Sequence, residues 1–161
     1  MNESAQELGK KLYLTAEKDE DLVVLATLSQ DALTITQNMT WVRRKRRFAI
    51  LMTRFCWELN DFSTKKKGEH KRTNSIMSFD TVLSVKSKGI DQSKSDTILS
   101  LLTIKHYYLK NEGRKIELIF SGGGKITLEV ECIEVLLKDV SSPFTSIAAS
   151  LPRHLDDESN E

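Results

Sequence analysis

A run of five consecutive basic residues is the feature of this sequence that most directly suggests chemistry. The run and a second basic cluster comprise Arg43, Arg44, Lys45, Arg46, Arg47, Lys65, Lys66 and Lys67. Guanidinium groups bind phosphate through paired hydrogen bonds, and each neutralised phosphate releases counterions. Residues 43–72 are therefore a candidate site for nucleic acid or another polyanion. The alternative is a solvated turn between two strands that need charge to remain soluble.

A polar loop is the second candidate site. It reads KSKGIDQSK over residues 86–94 and follows a predicted strand. Its candidate residues are Lys88, Gly89, Asp91, Ser93 and Lys94. Such a collection of ammonium, carboxylate and hydroxyl groups favours the binding of a small anionic ligand or a protein partner. The alternative is a structured turn in which Asp91 and Ser93 bond to backbone amides.

The sequence contains no pattern that indicates catalysis or a bound cofactor. SGGGK at residues 121–125 joins two predicted strands, whereas a phosphate-binding loop joins a strand to a helix and ends in G-K-[ST]. The three histidines are far apart and lack the spacing of metal ligands. Cys56 and Cys132 each lie in an apolar run, which predicts two small buried hydrophobic residues. We therefore predict no catalytic, metal-binding or cofactor-binding residue and no enzymatic activity.

Charge is distributed unevenly along the 161 residues. Residues 39–88 contain thirteen Lys or Arg and four Asp or Glu, although the net charge of the whole chain is only +1. This basic middle section favours contact with a polyanion. No stretch approaches the ~20 apolar residues of a membrane span, and the N-terminus lacks the apolar core of a signal peptide. We therefore expect a cytoplasmic protein without membrane contact.

Hydrophobic periodicity predicts the elements that position these residues. Three acidic residues followed by Leu22, Leu25 and Ala26 at helical spacing predict an N-terminal helix over residues 19–33. Alternating apolar residues then predict about six strands and a hairpin that turns at SGGG. Apolar residues occupy both faces of the strand at residues 47–58, so we expect it to be central and covered on each side.

A second apolar stripe predicts a helix near the C-terminus, because Ile133, Leu136, Leu137 and Val140 recur at helical spacing. Short links between the strands favour antiparallel neighbours, so the predicted fold class is α+β. We expect an antiparallel curled sheet or partial barrel of about six strands with an N-terminal and a C-terminal helix. This arrangement would be similar to a pleckstrin-homology-like barrel.

The same patterns divide the chain into a single domain with two tails. Residues 1–18 are predicted to be a flexible arm, and residues 19–140 a single α+β domain. Residues 60–75 are polar and lysine-rich, which predicts a mobile basic loop within that domain. Residues 141–161 are predicted to be mostly disordered, because they offer little apolar surface to offset the entropy of ordering.

Three stretches of the sequence resemble one bacterial family. They are RRFAILMTRFCWE at residues 46–58, DTVLSVKSKGIDQSKSDTILSLLTI at residues 80–104 and FSGGGKITLEVECIE at residues 120–134. Together they resemble the alphaproteobacterial proteins known as domain of unknown function 2948, over about residues 21–140. The resemblance implies a compact cytoplasmic bacterial protein, and it carries no activity, cofactor or site residue.

These observations favour binding over catalysis. We expect a non-catalytic protein-binding or adaptor module with an unidentified protein partner, and a homodimer is one form of that expectation. The sheet edges and the loop at residues 86–94 would make the contacts. The alternative is binding of nucleic acid or another polyanion through residues 43–72, and an enzyme of unknown type is the third reading.

Overall fold

A computed structural model describes residues 11–59 and 69–147. In this part of the chain eleven strands form one antiparallel sheet that does not close, and one α-helix packs beside it. The elements are β1 (Tyr13–Ala16), α1 (Asp19–Leu28), β2 (Leu33–Ile35), β3 (Met39–Val42), β4 (Arg47–Phe55), β5 (Glu69–Phe79), β6 (Val82–Lys88), β7 (Ile98–Tyr108), β8 (Arg114–Phe120), β9 (Lys125–Val130), β10 (Val135–Asp139) and β11 (Phe144–Ile147). The strand order is β1-β10-β5-β4-β2-β7-β8-β9-β6, with β11 paired to β5 and β3 paired to β4.

The predicted α+β class, with about six strands and two helices, is wrong. The segment predicted as a C-terminal helix forms β10, which pairs with β1 and β5. Val135, Leu137 and Asp139 are buried at alternating positions, as in a strand. Because Asp139 is charged, the alternation of apolar residues was not visible in the sequence. The comparison with a pleckstrin-homology-like barrel also fails, because the sheet is open and β10 replaces the helix expected to plug it.

The N-terminal helix lies where the sequence predicts it, although it ends earlier. Asp19, Glu20 and Asp21 lie in the first turn of α1, where the helix dipole favours negative charge. Leu22 and Leu25 are its buried residues. The helix ends at Leu28, residues 29–32 form a turn, and Leu33, the last residue of the predicted helical range, begins β2.

The glycine turn between β8 and β9 is confirmed. The two strands pair antiparallel from Arg114 opposite Val130 to Ile119 opposite Lys125. Gly122 and Gly123 at the turn have φ angles of 78° and 86°, which residues with a Cβ rarely adopt. The SGGG segment therefore reverses the chain between two strands.

β4 is an interior strand, as predicted, with β5 on one side and β2 and β3 on the other. Phe48, Ile50 and Met52 point into the core and are at most 4% exposed. On the opposite face Leu51 is 41% exposed. The expectation that both faces of this strand are covered is therefore wrong, and the antiparallel sheet leaves one face in contact with water.

The sheet bends until its last strand returns to the β3–β4 hairpin. The N–H of Val82, at the start of β6, donates a hydrogen bond of 2.8 Å to the carbonyl of Arg46. Within the described residues β6 pairs only with β9, and β3 pairs only with β4. Each of these two strands therefore has one unpaired edge, and an opening separates them.

Parts of the predicted arm, loop and tail belong to the sheet. β1 lies in the predicted arm, residues 69–75 of the predicted loop lie in β5, and β11 lies in the predicted tail. The predictions for residues 1–10, 60–68 and 148–161 lie outside the described residues. Across the described ranges, no helix has the length and apolar character that crossing a membrane requires.

Candidate binding cleft

The basic run forms the tip of the β3–β4 hairpin, as predicted. Residues Arg43–Lys45 make one turn of 3-10 helix, and Arg46 ends it in the left-handed region with φ 50°. The N–H of Arg46 donates to the carbonyl of Arg43 at 3.1 Å and closes the turn. All five basic side chains are exposed, so the tip projects into water.

Distant carboxylates neutralise two of the five cations. Arg46 Nη1 lies 2.7 Å from Glu131 Oε1, and Arg47 Nε lies 2.7 Å from Asp80 Oδ1. Both partners come from turns that follow other strands, so the sequence around the basic run gave no sign of them. These bonds hold the base of the tip against the ends of β5 and β9.

The remaining candidate polyanion residues fall into two groups. Arg43, Arg44 and Lys45 have no carboxylate within ion-pair distance among residues 11–59 and 69–147. The second group, residues 65–67, lies outside the described residues. Among the described candidate residues, the cations without a carboxylate partner are therefore three, and they lie on one turn.

The loop after β6 is a structured turn held by its own close contacts and hydrogen bonds. Gly89 has a φ of 72° and lies so close to the β8–β9 turn that a Cβ would stand 2.5 Å from the carbonyl oxygen of Gly123. Asp91 Oδ1 accepts hydrogen bonds from the N–H and the hydroxyl of Ser93, at 3.0 and 2.6 Å. These bonds lower the pKa of Asp91. The contacts are those of the structured-turn alternative.

An open cavity of about 510 Å³ lies between β3, β6 and this loop. We call it the cleft. Its apolar lining consists of Met39, Trp41, Phe48, Val85, Ile90 and Ile126. Its polar lining consists of Thr36, Gln37, Ser87, Gln92 and Ser95. The cleft therefore combines an apolar floor with an uncharged polar rim, which is the usual composition of a binding pocket.

Strand geometry explains why these side chains meet. Met39 and Trp41 are two residues apart on β3, and Val85 and Ser87 are two residues apart on β6, so each pair projects from one face of its strand. Gln92 Nε2 donates a hydrogen bond of 2.9 Å to Ser87 Oγ and ties the loop to the end of β6. The loop therefore forms one wall of the cleft.

One hydroxyl at the cleft has no hydrogen-bond partner among the described residues. Thr36 Oγ1 is buried, and Thr36 also lines a second cavity of about 410 Å³, which includes Gly89, Asp91 and Lys94. A buried polar atom without a partner costs about 1–3 kcal/mol. A ligand group that bonds to this hydroxyl would recover part of that cost.

A buried ionic cluster lies at the other end of β4. Arg54 is wholly buried, and its Nη2 lies 2.8 Å from Glu58 Oε1 and 3.1 Å from Asp139 Oδ2. Burial alone would lower the pKa of Arg54, but the hydrogen bonds and charges of Glu58 and Asp139 outweigh it and raise the pKa. Asp139 Oδ1 also accepts a hydrogen bond of 2.6 Å from the Ser75 hydroxyl. Because its charges are paired, we interpret this cluster as structural.

A second polar cluster joins the start of α1 to β7 and β8. The Tyr108 hydroxyl donates to Asp19 Oδ2 at 2.8 Å, and Arg114 Nη2 lies 3.6 Å from Asp19 Oδ1. The Arg114 guanidinium lies 3.5 Å from the centre of the Tyr108 ring.

No group of three or more His, Cys, Asp or Glu suited to a metal ion occurs in the part of the chain that the structure describes.

The two cysteines differ in environment. Cys56 is buried, as predicted, whereas Cys132 is exposed, so that half of the prediction is wrong. Cys132 follows the end of β9 in the turn that leads to β10. Its apolar neighbours in the sequence are buried, but the Cys132 side chain is not. Burial raises the pKa of the Cys56 thiol to about 11.

The cleft joins one predicted site to residues at the edge of the hydrophobic core. The loop at residues 86–94 contributes to its wall, and Phe48, a core residue, and Trp41, which packs against the core, contribute to its floor. The Val82–Arg46 hydrogen bond places the basic tip at the end of the cleft where β6 begins. Alternation marks a side chain as inward-facing, and it gives no sign that the sheet opens beside that side chain.

Over residues 11–59 and 69–147, the fold and the cleft define a mostly β domain with one helix and an open cavity at the edge of its sheet. The chain belongs to the family described as protein of unknown function (DUF2948), which matches residues 12–154. This match confirms the resemblance of residues 46–58, 80–104 and 120–134 to that family. No curated protein and no solved structure matches the chain.

Proposed function

We propose that this chain is a non-catalytic binding module that docks a protein partner in the cleft. The observation that carries the proposal is the open cavity of about 510 Å³ with an apolar floor. A partly accessible tryptophan, Trp41, lies in that floor, and aromatic side chains dominate the energetics of protein interfaces. The uncharged groups of Gln37, Ser87 and Gln92 supply the polar rim that such interfaces usually have.

Nucleic acid or another polyanion is the second candidate ligand. Arg43, Arg44 and Lys45 support it, because three exposed cations on one turn can contact adjacent phosphates. The ion pairs of Arg46 and Arg47 weaken it, since those two side chains would have to leave carboxylates 2.7 Å away. The cleft has an apolar floor, which a phosphate backbone does not need, so we rank the protein partner first.

The cytoplasm is the compartment we propose for this module. Cys132 is an exposed free thiol. Exposed thiols persist in reducing compartments and tend to oxidise outside them.

Affinity purification from the native cell, with and without nuclease, tests the proposed function. Ser87→Tyr places a ring at the mouth of the cleft. Ser142→Tyr makes the same change at an exposed serine between β10 and β11. We expect a protein partner that survives nuclease treatment, is lost with Ser87→Tyr and is retained with Ser142→Tyr. Recovery of nuclease-sensitive nucleic acid, unaffected by Ser87→Tyr, would support the second candidate instead.

A further inference from the structure

We propose that the cleft receives an extended, acidic segment of the partner protein, which adds as a strand along the unpaired edge of β6. This inference rests on the proposed function and names the occupant of the same site. It depends on three observations: the unpaired strand edges beside the cleft, the apolar floor that the side chains of an added strand would face, and the positive charge around the cleft.

The first observation is that two strand edges lack partners at the cleft. In the described part of the chain β6 pairs with β9 alone and β3 with β4 alone. An unpaired edge presents backbone N–H and C=O groups that an extended peptide can satisfy. The hydrogen bond from Val82 to Arg46 marks the point where the two edges approach each other, and they separate beyond it around the cleft.

The second observation is the pocket itself. Alternate side chains of an added strand would point to the same face as Val85 and Ser87 of β6. That face leads into the apolar floor beside Trp41 and Ile126. A segment with alternating apolar residues would therefore bury one side chain in the cleft while its backbone pairs with β6.

The third observation is charge. Lys86 and Lys88 are exposed on β6, and Arg43, Arg44 and Lys45 lie where β6 begins. None of these five cations has a described carboxylate within ion-pair distance. Complementary charge steers association and selects the partner, so the outward side chains of the added strand should be Asp or Glu.

The same charges argue against a second copy of this chain as the occupant. Antiparallel pairing of β6 with β6 of another copy, centred on residues 86–88 beside the cleft, would place the lysines of the two copies opposite one another, and like charges opposite one another destabilise strand pairs. The edge of β6 therefore discourages self-association and favours an acidic partner strand.

Selection from a random 12-residue peptide library tests this inference. The full chain is the bait, and the Ser87→Tyr variant is the counter-selection. The strongest selected peptide is then synthesised in three forms: unmodified, N-methylated at alternate amides, and with Asp and Glu changed to Asn and Gln. Affinities are measured by fluorescence anisotropy for the wild type, for Lys86→Glu with Lys88→Glu, and for Lys105→Glu with Lys110→Glu as a matched control on other exposed lysines.

We expect selected peptides that are acidic and alternate apolar residues. Each change to the peptide, and the Lys86→Glu and Lys88→Glu pair, should weaken binding by about tenfold or more, because each removes backbone pairing or complementary charge. The control pair should leave affinity unchanged. Amide exchange at residues 82–88 should slow when the peptide is bound.

Three results would overturn the inference, and they are distinguishable. Peptides that need an open cleft but tolerate both N-methylation and loss of acid would reject the acidic strand and leave the proposed function intact. The absence of any peptide enriched over the Ser87→Tyr counter-selection would reject both. Binding of the five cations to arbitrary duplex DNA in preference to every peptide would assign this edge to a polyanion and reject the acidic segment.

Discussion

The guanidinium of Arg54 reaches across β5 to the carboxylate of Asp139. Their atoms Nη2 and Oδ2 are 3.1 Å apart, and the two side chains are 0% and 1% exposed. In the strand between them Thr73 lies opposite Arg54, and Ser75 lies opposite Asp139. Both of these small residues are buried, which leaves room above β5 for the longer side chain.

Breaking this pair should destabilise the protein strongly. Asp139→Ala leaves the buried Arg54 with one carboxylate partner fewer and removes the acceptor of the Ser75 hydroxyl, so we expect a loss of about 3–5 kcal/mol. Asp80→Ala is the control, because it breaks the ion pair with the half-exposed Arg47 and should cost less than about 1 kcal/mol. Urea unfolding measures both. Equal losses would show that the buried cluster adds no more than a surface pair.

Of these two residues, Asp139 explains where the sequence misleads about the fold. Arg54 continues the inward row of Phe48, Ile50 and Met52, and Asp139 continues that of Val135 and Leu137. A charge at a core position breaks the period of two. In β10 that break left a spacing that matches a helix just as well. The ion pair that stabilises both buried charges joins residues 85 positions apart in the sequence. No local sequence pattern could therefore predict it.

Local signals predicted the β3–β4 tip, the glycine turn and the start of α1, because turn residues and helix-terminal charges act within a few positions. The cleft could not be predicted in this way. It exists because β6 returns to Arg46 and then diverges from β3. That geometry depends on how far the whole sheet bends, which is a property of many strands together.

Gly89 should tolerate substitution less well than Gly123. Both have a positive φ, of 72° and 86°, but a Cβ on Gly89 would meet the Gly123 carbonyl oxygen at 2.5 Å, whereas a Cβ on Gly123 would meet nothing within 4 Å. Gly123→Ala should therefore cost about 1 kcal/mol, from backbone conformation alone. We expect Gly89→Ala to cost at least twice as much in urea unfolding. Equal costs would mean that the two turns do not touch.

The two thiols should differ in reactivity. Cys132 is exposed and Cys56 is buried, and only an accessible thiolate reacts rapidly with a disulfide reagent. In the native protein, one cysteine per chain should therefore react quickly and release one equivalent of reagent thiol. The second cysteine should react only after denaturant is added. Cys132→Ala should abolish the fast phase, whereas Cys56→Ala should leave it. A fast phase that survives Cys132→Ala would contradict the assignment.

Cys56 should also make stability fall at high pH. Burial raises the pKa of its thiol from 9.0 to about 11, so the unfolded chain loses this proton first. The contribution is fully present below pH 9 and is lost as the pH rises through 11, which amounts to roughly 2 kcal/mol by pH 11. The difference in unfolding free energy between wild type and Cys56→Ala should shift by this amount from pH 8 to 11, in the presence of reductant. Cys132→Ala should show no such shift.

The basic tip offers the sharpest test between the two candidate ligands. Arg43→Ser, Arg44→Ser and Lys45→Ser together remove the cations that lack carboxylate partners. If the tip binds phosphates, the triple variant should bind arbitrary duplex DNA more weakly. It should also flatten the plot of log K against log salt by about 0.9 for each lost phosphate contact. Its melting temperature should barely change, because exposed charges contribute little to stability.

The matched control is Arg46→Ser with Arg47→Ser, which has opposite expectations. These side chains already bind Glu131 and Asp80 at 2.7 Å, so their loss should leave the salt slope nearly unchanged. Both ion pairs are substantially exposed, and we expect at most a small loss of stability. A control that flattens the slope as much as the triple variant would mean that phosphate displaces those carboxylates. If the wild type binds no nucleic acid at low salt, where screening is weakest, the polyanion candidate is rejected and the tip remains a solvated turn beside the cleft.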